Sequence, residues 1–185
     1  MGENRKIYAA LLGAGTVGSG VYKLAGMQEE DICLKTGAQL EIKKILVRNP
    51  GKVREGIPQE LFTDSWQEIL EDPEIQIVIE VMGGIEPART YVEEAMKAGK
   101  QVVTANKDLL AEHGKELMDA AEEYHKDLYF EAAVGGGIPI IRPINNCLTA
   151  ERIVEVSGIL NGTTNYILTK MEQAVSYTHL TLPTN

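Results

Sequence analysis

Gly13-Ala14-Gly15-Thr16-Val17-Gly18 spaces three glycines as G-x-G-x-x-G, the pattern with which a strand-to-helix turn takes up a diphosphate. Gly13 permits the sharp turn, and Gly15 has no Cβ to hold a pyrophosphate off the backbone. Gly18 lets the following helix lie close against a sheet. The free N–H groups of a helix opening at Thr16, Val17 and Gly18, with its positive end, would then hold the anion. A second cluster bears on which anion. Val47-Arg48-Asn49, with Lys52 and Arg54 beyond, carries no Asp or Glu. An acid there would hydrogen-bond a ribose 2′-hydroxyl, whereas an arginine accepts a 2′-phosphate. Arg48 therefore favours NADP, with NAD still open and a solvated surface cation as its alternative role.

Such a turn has meaning only between a buried strand and a helix, and the chain supplies both. Residues 7–12 are nearly all apolar and end at Gly13, as a strand buried on both faces would. Residues 16–25 follow at helical spacing, with Val17, Val21 and Leu24 on one side. Residues 40–47, 75–81, 101–104 and 128–130 read as further strands. Val47 lies 29 residues after Gly18, against the usual ~20, and the extra length is expected in a loop over 27–39 that holds Cys33. Ser65, with Glu68 three residues on, caps a short helix whose Trp66, Ile69 and Leu70 face inward. Pro87 suits a first helical turn and Gly99 the residue past that helix's end. A polar-faced helix is expected over about 114–125, with Leu117, Ala121 and Tyr124 inside, and another over 143–148. Strand and helix in alternation imply right-handed crossovers and an α/β fold, a doubly wound parallel sheet of the Rossmann type.

The composition narrows the partners. The 185 residues are 44% hydrophobic and 24% charged, as in globular proteins. Lys and Arg total 18 against 27 Asp and Glu, a net charge of -9 that repels nucleic acids and anionic membranes. A small anion held by backbone N–H groups stays compatible with it. Cys33 and Cys147 are too few for a disulfide framework and have no His or Cys at zinc spacing, so they read as buried or half-buried thiols. No leader or membrane-spanning run is legible, which gives a cytoplasmic expectation.

Three further segments close strands. They are Glu80-Val81-Met82-Gly83-Gly84-Ile85-Glu86-Pro87-Ala88, Val102-Val103-Thr104-Ala105-Asn106-Lys107, and Glu131-Ala132-Ala133-Val134-Gly135-Gly136-Gly137-Ile138-Pro139-Ile140. With the opening glycine turn and Gly158-Ile159-Leu160-Asn161-Gly162-Thr163-Thr164-Asn165-Tyr166, they stand in an order that resembles homoserine dehydrogenase from about residue 6 to 171. The resemblance implies NAD(P)-dependent interconversion of L-homoserine and L-aspartate 4-semialdehyde, on the route to threonine, methionine and isoleucine.

By the same resemblance Lys107 matches the family's first active-site lysine. Met82, Gly83 and Thr104 fall on the nicotinamide side. Glu131, Val134, Gly136 and Ile138 match oxygen ligands of a monovalent cation, usually sodium, and a tight turn without an ion is the alternative. Thr163, Thr164 and Asn165 lie in a segment near the substrate side, with helix capping as their other reading. The family's second lysine and its substrate-binding Glu and Asp lie downstream of the readable motifs, and family members are commonly homodimers through the catalytic domain. The expected division is a nucleotide-binding domain over 1–145 and the start of an α+β catalytic domain over 146–174. Residues 175–185 are expected to be a non-native tail. Two rivals stand beside this reading. A nucleotide-binding piece without turnover fits the missing catalytic half, whereas a semialdehyde dehydrogenase would need a cysteine with a basic partner, and neither Cys33 nor Cys147 has one identifiable in sequence.

Overall fold

The structure, a computed structural model, describes residues 5–158 and 162–174. Strands β1 (Arg5–Leu12), β2 (Ala38–Leu46), β3 (Phe62–Thr63), β4 (Ile75–Glu80), β5 (Gln101–Thr104) and β6 (Leu128–Tyr129) pair in parallel throughout, in the order β3-β2-β1-β4-β5-β6. Successive strands run outward in one direction to β3 and, from β4, in the other. That reversal opens a crevice at the carboxyl ends of β1 and β4, where doubly wound sheets take ligands.

Alternate residues of β1 serve two cores, because successive side chains of a strand point to opposite faces. Ala9 and Leu11 pack with Ile42, Ile45 and Phe62 on one side, and Ala10 and Leu12 with Val78, Val92, Met96 and Leu117 on the other. All four β1 residues are fully buried, which explains the unbroken apolar run. The first layer is closed by helix α1 (Thr16–Met27) and the second by α3 (Trp66–Leu70), α4 (Ala88–Lys97) and α5 (Lys107–Glu123). Ser65 caps α3 by accepting the Glu68 N–H, and Trp66 stacks on Tyr91 with ring centroids 4.5 Å apart.

Several expectations are corrected. Val17 and Leu24 are exposed, and Gly18 and Ala25 are the buried residues of α1. Small residues bring that helix against the sheet, and of the expected stripe Val21 alone packs against the core. The expected loop over 27–39 is mostly helix α2 (Glu29–Thr36), which places half-buried Cys33 on a helix. Acids in its first turn, Lys35 in its last and a left-handed Gly37 (φ 71°) stabilise it, and none of its residues is buried. Helix α5 starts at Lys107, seven residues before the expected point. Pro87 stands at the N-cap of α4 rather than inside it, and residues 143–147 wind as a π-helix. Cys147 is exposed, not buried or half-buried. Helix α6 (Gly162–Ala174) follows a stretch over 148–158 with no helix or strand, while residues 175–185 lie outside the described residues. Among the described residues no helix is long and apolar enough to cross a membrane.

Candidate functional site

Three turns meet at the crevice. The first runs from β1 into α1. Gly13 takes φ 105°, and its N–H donates to Leu46 O (3.0 Å), joining the turn to the end of β2. A Cβ on Gly13 would stand 3.0 Å from Val81 O, so the turn packs directly on the backbone that follows β4. A Cβ on Gly18 would stand 2.1 Å from Gly13 O, whereas one on Gly15 would meet nothing within 4 Å. The three glycines therefore do different work. Gly13 and Gly18 close the protein's own packing, and Gly15 leaves open space in front of the backbone. Gly15 is also the N-cap of α1, with no side-chain cap bond and no acid in the first turn. That helix end presents N–H groups without the side-chain oxygen that commonly caps them.

The second and third turns follow β4 and β5. Together with Val17 they wall a cleft of about 280 Å³, lined by Val81, Met82, Gly83, Ala105, Asn106, Lys107 and Asp108. Val17, Met82, Gly83 and Lys107 thus share one cleft beside Gly15. Lys107 is exposed at the first position of α5, which Asn106 caps by accepting the Leu109 N–H at 3.1 Å. Thr104 is not brought to the surface: it is fully buried, and its hydroxyl donates to Glu80 (2.6 Å) inside the sheet. Arg48 is exposed two residues past the end of β2, on the side where Leu46 holds Gly13. Arg54 organises the loop beyond it, donating to Lys52 O (2.9 Å) with its guanidinium over the Phe62 ring.

Glu131 sits apart from this cleft. Its carboxylate accepts the N–H groups of Ile140 (2.5 Å), Ile141 (3.0 Å) and Arg142 (2.7 Å), and its carbonyl accepts the Val134 N–H (3.1 Å). The Ile140 N–H first, with those of Arg142 and Ile141, holds the Glu131 carboxyl below its usual 4.5. A depressed carboxylate gives stability that is present above the unfolded value and lost as pH falls through the folded one. The 139–142 segment is therefore expected to loosen from Glu131 as pH falls below 4.5 and through that lowered value. Glu131→Gln should raise amide exchange at Ile140, Ile141 and Arg142 about tenfold at neutral pH. Unchanged exchange would show that the carboxylate does not hold the segment. Gly135 (φ 75°) and Gly136 (φ 61°) turn the chain beside Val134 and Ile138. No group of three or more His, Cys, Asp or Glu side chains is arranged to hold a metal ion among the described residues, so any cation there would rest mainly on carbonyl oxygens.

Two residues of the site were not singled out in the sequence: Glu80 and the cap Asn106. Glu80 is an acid in an otherwise apolar and amide run, and burial of a charge demands partners. Asn106 is a preferred N-cap type immediately before a helix.

A parallel 3-2-1-4-5-6 sheet with a glycine turn and an uncapped helix end at the reversal point defines a Rossmann-type dinucleotide-binding domain. Residues 13–131 match the homoserine dehydrogenase NAD-binding domain, and residues 139–182 match homoserine dehydrogenase. The second match runs into the 175–185 stretch. The chain belongs to the homoserine dehydrogenase family. It is 46% identical over 168 residues to a homoserine dehydrogenase of Bacillus subtilis, covering 90% of this chain and 39% of that protein. The corresponding Lactococcus lactis protein is 47% identical over 172 residues, covering 91% and 40%. The crystal structure of a homoserine dehydrogenase from Thiobacillus denitrificans superposes with a TM-score of 0.84 at 42% identity, over 93% of this chain and 40% of that one. The chain thus spans about two fifths of the length of these relatives.

Proposed function

We propose that this chain is the nucleotide-binding part of a homoserine dehydrogenase and that the cleft takes NADP(H). The open N–H groups of α1 at Gly15, with room where a Cβ would stand, carry this reading. The diphosphate would lie on the backbone N–H groups of Gly15, Thr16, Val17 and Gly18, with Gly13 shaping the turn, and the nicotinamide end would lie toward Met82 and Gly83. When bound, the cofactor exchanges a hydride with a carbon bearing oxygen. In the complete protein that carbon would belong to L-aspartate 4-semialdehyde or L-homoserine. Lys107 stands at the cleft with its ammonium free to steady the substrate oxygen as charge develops there. Thr104 acts from beneath. The Glu131, Val134, Gly136 and Ile138 turn would take sodium or another monovalent cation on main-chain oxygens, fixing the passage into the second domain. Residues 1–145 would form the nucleotide domain and 146–174 the start of the catalytic one, with Thr163, Thr164 and Asn165 toward the substrate. The complete protein would be a cytoplasmic homodimer.

The length of the chain favours a second outcome for the piece itself. Titrating it with NADPH, read by nicotinamide fluorescence, should give saturable binding, while NADP reduction with homoserine stays undetectable. Absence of binding would remove the functional reading; turnover by this chain would overturn the view that its catalytic half is missing. Arg48→Ala should weaken NADPH binding about tenfold and leave NADH binding unchanged, as expected for one lost charge-assisted contact to a 2′-phosphate. Equal loss for both nucleotides would reassign Arg48 as a general surface cation.

A further inference from the structure

Glu80 is fully buried at the end of β4, directly beneath the cleft. One carboxylate oxygen accepts the Met82 N–H at 2.8 Å, and the other accepts the Thr104 hydroxyl at 2.6 Å. Thr104 Oγ1 in turn accepts the Asn106 N–H at 3.0 Å. Asn106 returns to the turn after β4 by donating its amide to Gly84 O (2.5 Å), while its side-chain oxygen caps α5. The bonds form a closed circuit, 82 to 80 to 104 to 106 to 84. Its two halves are the turns that wall the cleft, and its member Asn106 immediately precedes Lys107. Both groups facing the Glu80 side chain are donors, so the position needs two acceptors at one side-chain end. A carboxylate meets that need; a glutamine there would turn its NH2 toward one of the donors.

We propose that Glu80 is a positioning residue: from inside the sheet it locks the 82–84 turn and the start of α5 into one body, and thereby fixes where Lys107 stands over the cleft. It has no exposed surface, so it acts only through the groups it holds. The circuit is a property of this chain, whereas its service to a nucleotide rests on the function proposed above.

The test separates these two. Glu80→Gln, Thr104→Val and Thr104→Ser are made in this chain, and amide exchange is followed by mass spectrometry. The proposal expects Glu80→Gln and Thr104→Val to raise exchange at Met82 and at Asn106 together, about tenfold, while β1 and α4 stay protected. Thr104→Ser keeps the hydroxyl and should restore the parent pattern. Exchange rising at Met82 alone, or a serine no better than valine, would overturn the circuit. Should Glu80→Gln fail to fold, the Thr104 pair still decides. In parallel, NADPH titration should show Kd weakened about tenfold in Glu80→Gln and Thr104→Val but near parent in Thr104→Ser. If the parent chain does not bind NADPH, the functional reading falls and the exchange result on the circuit stands by itself. If the parent binds and the variants bind equally well, the positioning role falls and the functional reading stands.

Discussion

Lys107→Ala is expected to lower kcat of the complete protein about 10²–10³-fold, the range seen when one group that stabilises a developing oxyanion is removed. The folded state should hardly register the change. Lys107 is exposed, makes no ion pair among the described residues, and leaves the α5 cap to Asn106. A surface substitution of this kind shifts stability by about 0.5 kcal/mol or less. With the substitution made in this chain, emission of its one tryptophan, Trp66, which is buried on α3 against Tyr91, reports that independently of turnover. The position is also electrostatically odd. Helix N-termini favour anions, so a lysine at the first residue of α5 opposes the local field and only Asp108 beside it conforms. A local rule broken at the rim of a cleft is where function is expected to have overruled stability. Lys107→Arg keeps the charge but not the compact ammonium, and should recover only part of the rate. An unchanged kcat in Lys107→Ala would exclude Lys107 from the chemistry.

The same residue shows how far the sequence could be read. Every strand but the two-residue β3 is legible because its signals are local: β1 is apolar on both faces, and β4 is β-branched between Pro73 and the glycines that follow Met82. The glycine turn was legible because spacing alone distinguishes it. The first two turns of α5 are hidden because Lys107-Asp108 and Glu112-His113 flank Leu109 with charged and polar residues, so its apolar period becomes clear only after Gly114. Helix α2 was hidden for the opposite reason. With no buried residue, it has no apolar period to detect and is held by end charges and Gly37. Glu80 and Thr104 belong to a third kind, residues whose meaning depends on a neighbouring strand. Strand β5 pairs Thr104 with Glu80, 24 residues earlier, and no periodicity within one segment reveals that pairing.

A pair of alanine substitutions at the glycine turn should differ in their effect on stability and agree in weakening binding. At Gly18 a methyl group would stand 2.1 Å from Gly13 O, a backbone atom that can withdraw only if the turn moves. Overpacking of this kind costs about 1–3 kcal/mol. Replacing a helix-interior glycine by alanine returns at most about 1 kcal/mol, so the clash wins and the melting temperature falls. At Gly15 the methyl group meets no protein atom within 4 Å, and φ of -80° suits any residue. The penalty there is that of a poorer N-cap, below about 1 kcal/mol. Gly15→Ala should therefore melt close to the parent yet lose NADPH affinity about 10²-fold, because its methyl occupies the space through which a diphosphate reaches several N–H donors. Gly18→Ala should lose both. If Gly15→Ala keeps its affinity, the open space before that residue is not where the diphosphate sits, and the α1 terminus loses its claim to the anion.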